Sequence, residues 1–301
     1  MNELKVEVNL SMEKFVSEKS EKKPLVSIIM PCYNDGEYIQ EAINSVMSQT
    51  YQSIELVIIN DGSTDLATIK IISSLDDPRI KVLNSENLRP AGARNKGIES
   101  ANGKYILPVD SDDIIDSTYI EKAVKIIEND EEIGVVYCQA DLFGLRTGRW
   151  DLPNYSFDKM LLDNIVFVTA LFRKSDWEKI GGFSVEMDAG MEDYDFWISI
   201  LELGKSIHQI PEVLFHYRIK KESRTTRFKK STEAIQETYH KIYLRHPVFY
   251  EKYHKEHAIE LRKALIEHIA MCEALKNSVD IYNRLVSIPG LKWFVRKFII
   301  K

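Results

Sequence analysis

Short apolar runs alternate with amphipathic stretches through the first half of the chain. Leu25-Val-Ser-Ile-Ile-Met30 is followed by residues 37–49, where Ile39, Ala42, Ile43, Val46 and Met47 recur at helical spacing. Residues 54–59 (IELVII) precede a helix predicted at 65–75, and residues 80–83 precede one at 91–101. Residues 105–109 precede a helix at 117–129, and residues 133–137 close the series. Runs with little polar alternation are what strands buried on both faces require. Strand and helix in strict alternation predict an α/β fold with a mainly parallel sheet, right-handed crossovers and helices on both faces.

In such a sheet, ligands bind beyond the carboxyl ends of the strands. Polar clusters stand at three of these ends: Pro31-Cys-Tyr-Asn34, Asn60-Asp-Gly-Ser63 and Asp110-Ser-Asp-Asp113. If the last cluster continues its strand, Asp110 and Asp112 face one way and Ser111 the other. Two carboxylates on one face favour a cation between them, and oxygen-only donors favour Mg²⁺ or Mn²⁺. The competing reading is a polar turn, with Asp113 as N-cap of the helix at 117–129. The first strand leads into neither a Gly-x-Gly-x-x-Gly loop nor a Walker loop, which argues against a dinucleotide fold.

Composition narrows the class. With 301 residues, 44% hydrophobic and 29% charged, the chain is long enough for a full core. A net charge of −6 excludes a general nucleic-acid binder, which needs a basic footprint. Cys32, Cys138 and Cys272 are odd in number and widely spaced, which fits a reducing compartment rather than a disulfide framework. Residues 1–23 lack an apolar signal-like core and read as a leader, so the expected location is cytoplasmic.

Six ordered blocks carry a resemblance. Pro31-x-Tyr-Asn34, Asn60-Asp-Gly-Ser-Thr-Asp65, Ala93-Arg-Asn-x-Gly-Ile98, Asp110-Ser-Asp-Asp113, Gly181-Gly-Phe183 and Met191-Glu-Asp-Tyr-Asp-Phe-Trp197 resemble the signature of family 2 glycosyltransferases over residues 24–225. The resemblance implies an inverting enzyme of the Rossmann-like GT-A fold, of hexosyl- or N-acetylhexosaminyl-transferase type. It also implies a UDP-linked nucleotide-sugar donor, an Mn²⁺ or Mg²⁺ cofactor, and a saccharide or lipid-linked acceptor in surface-polysaccharide synthesis.

On that resemblance, Pro31, Tyr33, Asp61, Asn87 and Arg94 form the nucleotide pocket, with Tyr33 offering a ring face and Asp61 accepting from a uracil-type base. Asp110, Ser111 and Asp112 hold the diphosphate side. Asp112 and Asp110 are the expected metal ligands, joined by His216. Asp193 is the expected general base, and Glu192 positions the acceptor beside it. Phe183 is placed against the donor sugar, and Trp197 in the core. Arg218 and Ser223 match the family pattern, but Lys220 stands where relatives often carry a histidine; its ammonium would meet phosphate as a point charge. The basic run 218–230 reads as a lid over the diphosphate.

Residues 226–301 read as a C-terminal helical region. Its end, Leu291-Lys-Trp-Phe-Val-Arg-Lys-Phe-Ile-Ile-Lys301, mixes aromatic and aliphatic residues with cations. That profile fits peripheral contact with the inner face of a membrane, and equally a terminal helix docked on its own domain or in a homodimer interface. Two other functions compete: a non-catalytic sugar-nucleotide binder, and a sugar-nucleotide pyrophosphorylase, which would want a glycine-rich phosphate loop after the first strand.

Overall fold

The computed structural model describes residues 23–287, with side chains described through residue 281. Residues 1–22 of the expected leader (1–23) and the amphipathic end at 291–301 lie outside the described residues. The chain forms two compact units. The first takes in the residues up to Asn154 together with Val166–Ile242; the second takes Tyr155–Ile165 and the residues from Tyr243 onward.

In the first unit, β1 (Val26–Cys32), α1 (Ile39–Met47), β2 (Ile54–Asn60), α2 (Leu66–Ser73), β3 (Ile80–Asn84), α3 (Arg89–Glu99) and β4 (Tyr105–Pro108) follow the expected alternation. Then come β5 (Ile114–Ile115), α4 (Tyr119–Asn129), β6 (Ile133–Gly144) and β7 (Gly148–Arg149). In the second unit lies α5 (Phe157–Met160). The first unit resumes with β8 (Leu171–Arg173), α6 (Lys174–Ile180), α7 (Glu192–Glu202), β9 (Ser206–Ile219) and α8 (Arg224–Phe228). The remaining helices are α9 (Thr232–Arg245), α10 (Pro247–Lys252) and α11 (His254–Ser287).

The sheet order is β3-β2-β1-β4-β8-β6-β9-β5, with β7 paired to β6. Its first half is parallel, as the alternation predicts. The second half is mixed: β8 runs antiparallel to both β4 and β6, β5 runs antiparallel to β9, and β6 and β9 are parallel. The short strands β5, β7 and β8 are too brief to show a period. Only residues 213–217 of β9 are legible as strand, because Pro211 interrupts the run near a register shift against β6. Residues 232–287 are helical apart from short breaks. In the second unit, Phe157 of α5 packs edge-on to Tyr253 at 4.7 Å and to Phe249 at 6.0 Å. No helix among the described residues is long and apolar enough to cross a membrane.

Register brings the site loops to one edge. Cys32 pairs with Asn60 and Asn60 with Asn84, so β1, β2 and β3 end side by side, while β4 ends three residues earlier against Ile29 of β1. The packing of α3 onto β1 and β2 sets the depth of that edge. A Cβ on Gly97 would lie 2.6 Å from Ile59 Cδ1 and 2.7 Å from Ile29 Cγ2, so only glycine lets α3 approach this closely. Gly97→Ala should therefore lower stability by about 1–3 kcal/mol through overpacking. Urea denaturation followed by circular dichroism measures it, and an unchanged midpoint would show that the sheet yields instead.

Candidate active site

The first two loops are tied by Asn34. Its Oδ1 accepts from the backbone N–H of Thr64 at 2.7 Å and of Asp65 at 3.1 Å, while its own N–H donates to Ser63 Oγ at 3.1 Å. Gly36 permits this approach, since a Cβ there would stand 2.5 Å from the Thr68 nitrogen. Tyr33, just before this junction, is 47% exposed, so its ring face is open. Asp61 is buried, and its Oδ1 accepts from Ser85 Oγ and from the Leu88 N–H, both at 2.7 Å. Asn87 is exposed and adopts a left-handed backbone with φ +55°. Among the described residues, the non-glycine positions with positive φ are Asn34, Asn87, Arg89 and Met191, all in these loops or at the start of α7. Strained backbone gathered at one edge is typical of a functional site.

Residues 110–113 form a turn rather than the continuation of β4: the Asp113 N–H donates to the Asp110 carbonyl at 3.1 Å. The alternation expected across a strand therefore does not apply. Asp110 Oδ1 meets Arg94 at 2.6 Å, Ser111 Oγ donates to Asp35 Oδ2 at 2.7 Å, and Asp112 Oδ2 meets Lys220 Nζ at 2.6 Å. Asp113 is no helix cap; α4 begins at Tyr119, and Asp113 Oδ1 accepts from the Arg218 N–H at 2.8 Å. Burial, reinforced by Asp112, raises the Asp113 carboxyl well above its ordinary range.

Arg94 does not stand free in the nucleotide pocket. It is 2% exposed and spans Asp110 and Glu192, the latter at 2.7 Å. Burial disfavours its charge, but the two carboxylates outweigh burial and raise its pKa. The neighbouring Asn95 explains the rest of its block: Oδ1 accepts from the Phe183 N–H at 2.8 Å and from Trp177 Nε1 at 3.2 Å, fastening Gly181-Gly-Phe183. Phe183 is buried between Phe172 and Phe196, so it is core rather than a wall for a sugar. Trp197 is core as expected, donating to the Val166 carbonyl at 3.0 Å.

Glu192 and Asp193 open α7 after the left-handed Met191. Glu192 is buried between Arg94 and Arg224 as the centre of an ionic cluster, both of its oxygens engaged by guanidinium groups. Burial would raise its carboxyl, but Arg224 and Arg94 hold it below the usual range. Asp193 is only partly covered, and its Oδ1 accepts from the Tyr194 N–H at 2.9 Å. Burial and then the Glu192 charge push its carboxyl up to about 6, against the pull of Arg94. Two adjacent carboxylates are thus driven apart, Glu192 downward and Asp193 upward.

At the end of β9, Arg218 is fixed by its backbone bond to Asp113, by Nε donating to the Asp112 carbonyl at 2.7 Å, and by an ion pair with Glu41. Its guanidinium lies 4.7 Å from the Tyr38 ring and 4.2 Å from the Phe143 ring. Lys220 Nζ bridges Asp112 and Asp35, the latter at 3.1 Å. Ser223 caps the short helix α8 in a reciprocal pair with Thr226, and Arg224 follows it onto Glu192. His216 is turned away onto Asp141, with Nδ1 at 2.6 Å from Oδ1, and does not join the acids at 110–113. Burial pushes the Cys32 thiol up to about 12, which removes it as a nucleophile. Asp35, Glu41 and Arg224 went unread in the sequence. Asp35 looked like ordinary turn chemistry, Glu41 like the polar face of a helix, and Arg224 like any other cation of a basic run.

The carboxylates do not fit a divalent ion as they stand. Such an ion wants several oxygen ligands at roughly 2.0–2.6 Å. Here Asp112 and Asp35 share an ammonium, Asp110 faces a guanidinium, and His216 is engaged elsewhere. Among the described residues, no group of three or more His, Cys, Asp or Glu side chains is arranged to hold a metal.

Residues 27–181 match the sequence model of the family described as "Glycosyl transferase family 2". The chain belongs to this family. An uncharacterized glycosyltransferase of Haemophilus influenzae is 34% identical over 217 residues, covering 66% of this glycosyltransferase and 67% of the relative. A chondroitin synthase of Pasteurella multocida is 31% identical over 191 residues, covering 62% of this chain but only 20% of that protein. The first 349 residues of S. aureus TarS, solved with UDP-GlcNAc, superpose with a TM-score of 0.56 at 22% identity, covering 67% of this chain and 60% of that one. The fold is GT-A-like, a mixed sheet with flanking helices followed by a C-terminal helical region.

The ionic cluster around Arg94 gives a stability test. Arg94→Met leaves Glu192 short of a buried partner and should cost about 3–5 kcal/mol. Asp110→Asn, at a carboxylate one-third exposed, should cost no more than about 1 kcal/mol. Urea midpoints compare the two; equal costs would show that burial of Glu192 is not what the cluster answers.

Proposed function

We propose that this glycosyltransferase moves a sugar from a UDP-linked donor to a hydroxyl of a saccharide or lipid-linked acceptor, with inversion, in the making of a surface glycan. The observation that carries the reading is the pair at the start of α7: Glu192 held ionised by two arginines, beside Asp193 with a carboxyl near 6. UDP as carrier is supported by TarS structures solved with UDP and with UDP-GlcNAc. A glycan acceptor is supported by relatives named chondroitin synthase and hyaluronan synthase. An N-acetylhexosaminyl group fits those names as well as a plain hexosyl group.

In this mechanism the base lies against the open ring of Tyr33. Asp61 Oδ1 is occupied by Ser85 and Leu88, which leaves Oδ2 to accept from a ring N–H of the base. The diphosphate lies toward the 110–113 turn, where Lys220 and Arg218 stand. Asp193 takes the proton of the acceptor hydroxyl as its oxygen attacks the anomeric carbon. The bond from that carbon to the diphosphate oxygen breaks, and its electron pair leaves with the nucleotide. A single displacement inverts the centre, whereas retention by double displacement would need a carboxylate nucleophile. A cytoplasmic location fits the cysteine usage, and the aromatic-basic segment 291–301 supports a peripheral station on an anionic membrane, where a lipid-carried acceptor would be met. The same segment equally supports a homodimer.

Asp193→Asn should lower kcat by about 10²–10⁴-fold, the usual worth of a general base. UDP affinity by calorimetry should stay unchanged, and retained turnover would move the base role elsewhere. Because the Asp193 pKa is raised, the active carboxylate forms only as pH climbs through about 6. The kcat/KM profile should fall tenfold per pH unit below that value, and a profile flat down to pH about 4.5 would contradict the assignment.

A further inference from the structure

We propose that Lys220 is the resident counter-cation of the carboxylate pocket, standing where a divalent ion would otherwise sit, and that its ammonium carries the donor's diphosphate. The second half rests on the nucleotide-sugar reading above; the first concerns only the protein's own charges. Lys220 Nζ is 2.6 Å from Asp112 Oδ2 and 3.1 Å from Asp35 Oδ1, carboxylates supplied by separate loops. Two of its three N–H donors serve these acids, and the third is what a phosphate oxygen would take.

The position is built. Arg218, two residues earlier, is locked by Asp113, by the Asp112 carbonyl and by Glu41, and is packed on Tyr38 and Phe143. Asp35 is itself oriented by Ser111, whose hydroxyl donates to its other oxygen at 2.7 Å. The ammonium also lies 5.2 Å from the Tyr38 ring. Asp112 and Asp35 flank the ammonium and balance its charge in a mostly covered site. A divalent ion between Asp112 and Asp35 would face this ammonium at close range in a partly desolvated site, where like charges repel strongly. Lysine and ion therefore compete for the same oxygens. The remaining acids are answered by the protein itself: Arg94 meets Asp110, and Asp113 accepts from the Arg218 N–H.

The test uses the full chain and its Lys220→Met and Lys220→Arg variants. Mn²⁺ binding is read by electron paramagnetic resonance and UDP binding by calorimetry, in EDTA and in Mn²⁺. The wild type should bind no Mn²⁺ in this pocket and hold UDP equally in both buffers. Lys220→Met should gain a Mn²⁺ site that Asp112→Asn removes. It should bind UDP about ten- to a hundredfold more weakly in EDTA, recovering when Mn²⁺ is added. Lys220→Arg, which keeps a cation between the two acids, should gain no Mn²⁺ site. Wild-type protein that binds Mn²⁺ as well as Lys220→Met, that needs Mn²⁺ for UDP, or a methionine variant with no Mn²⁺ site, would overturn the proposal. Mn²⁺ binding that follows Lys220 while UDP binds neither protein would support the counter-cation and refute the nucleotide-sugar reading.

Discussion

A buried guanidinium governs this site. Arg94 sits at the core side of the strand edge and must be neutralised where water does not reach, so it draws Asp110 from one loop and Glu192 from the start of α7. Charges buried without partners are costly enough that the partners' positions become part of the fold. Through this one residue, β4 and α7 acquire a fixed relation. Asp193 then has a partly covered position beside a carboxylate that two arginines hold below the usual range.

A second bridge repeats the logic with a different cation. Lys220 joins Asp35 from the loop after β1 to Asp112 from the turn after β4, while Arg218 holds that turn by its backbone and by the Asp112 carbonyl. Arginine suits the deep position because its planar fork can serve two acids at once. Lysine suits the outer one because its compact ammonium reaches carboxylates from two separate loops. The two bridges thus tie the loops after β1 and β4 and the start of α7 to the same strand edge.

Much of the fold was legible because buried parallel strands write themselves as apolar runs separated by amphipathic helices. Residues 25 to 109 followed that grammar closely. It failed where strands became short or antiparallel: Leu171–Arg173 is three residues long and enters between β4 and β6 with no period to announce it. The motif blocks located Asp61, Arg94, the acids at 110–113 and the pair at 192–193. They did not reveal which acid meets which cation, because those pairs are set by tertiary distance. Lys220 and Asp35 are 185 positions apart, and Arg94 and Glu192 are 98 apart. The strand rule misplaced Ser111 because the backbone turns directly after Val109, and spacing alone drew His216 toward a site from which its pairing with Asp141 removes it.

The most direct check is a ¹³C-carboxyl NMR titration of Asp193 in the ligand-free protein. Held beside an ionised Glu192 in a partly buried site, this carboxyl should titrate with a midpoint of about 6. A midpoint near the ordinary aspartate value of about 3.9 would mean that the arginine-centred cluster does not prepare a base, and the account would fail at its centre.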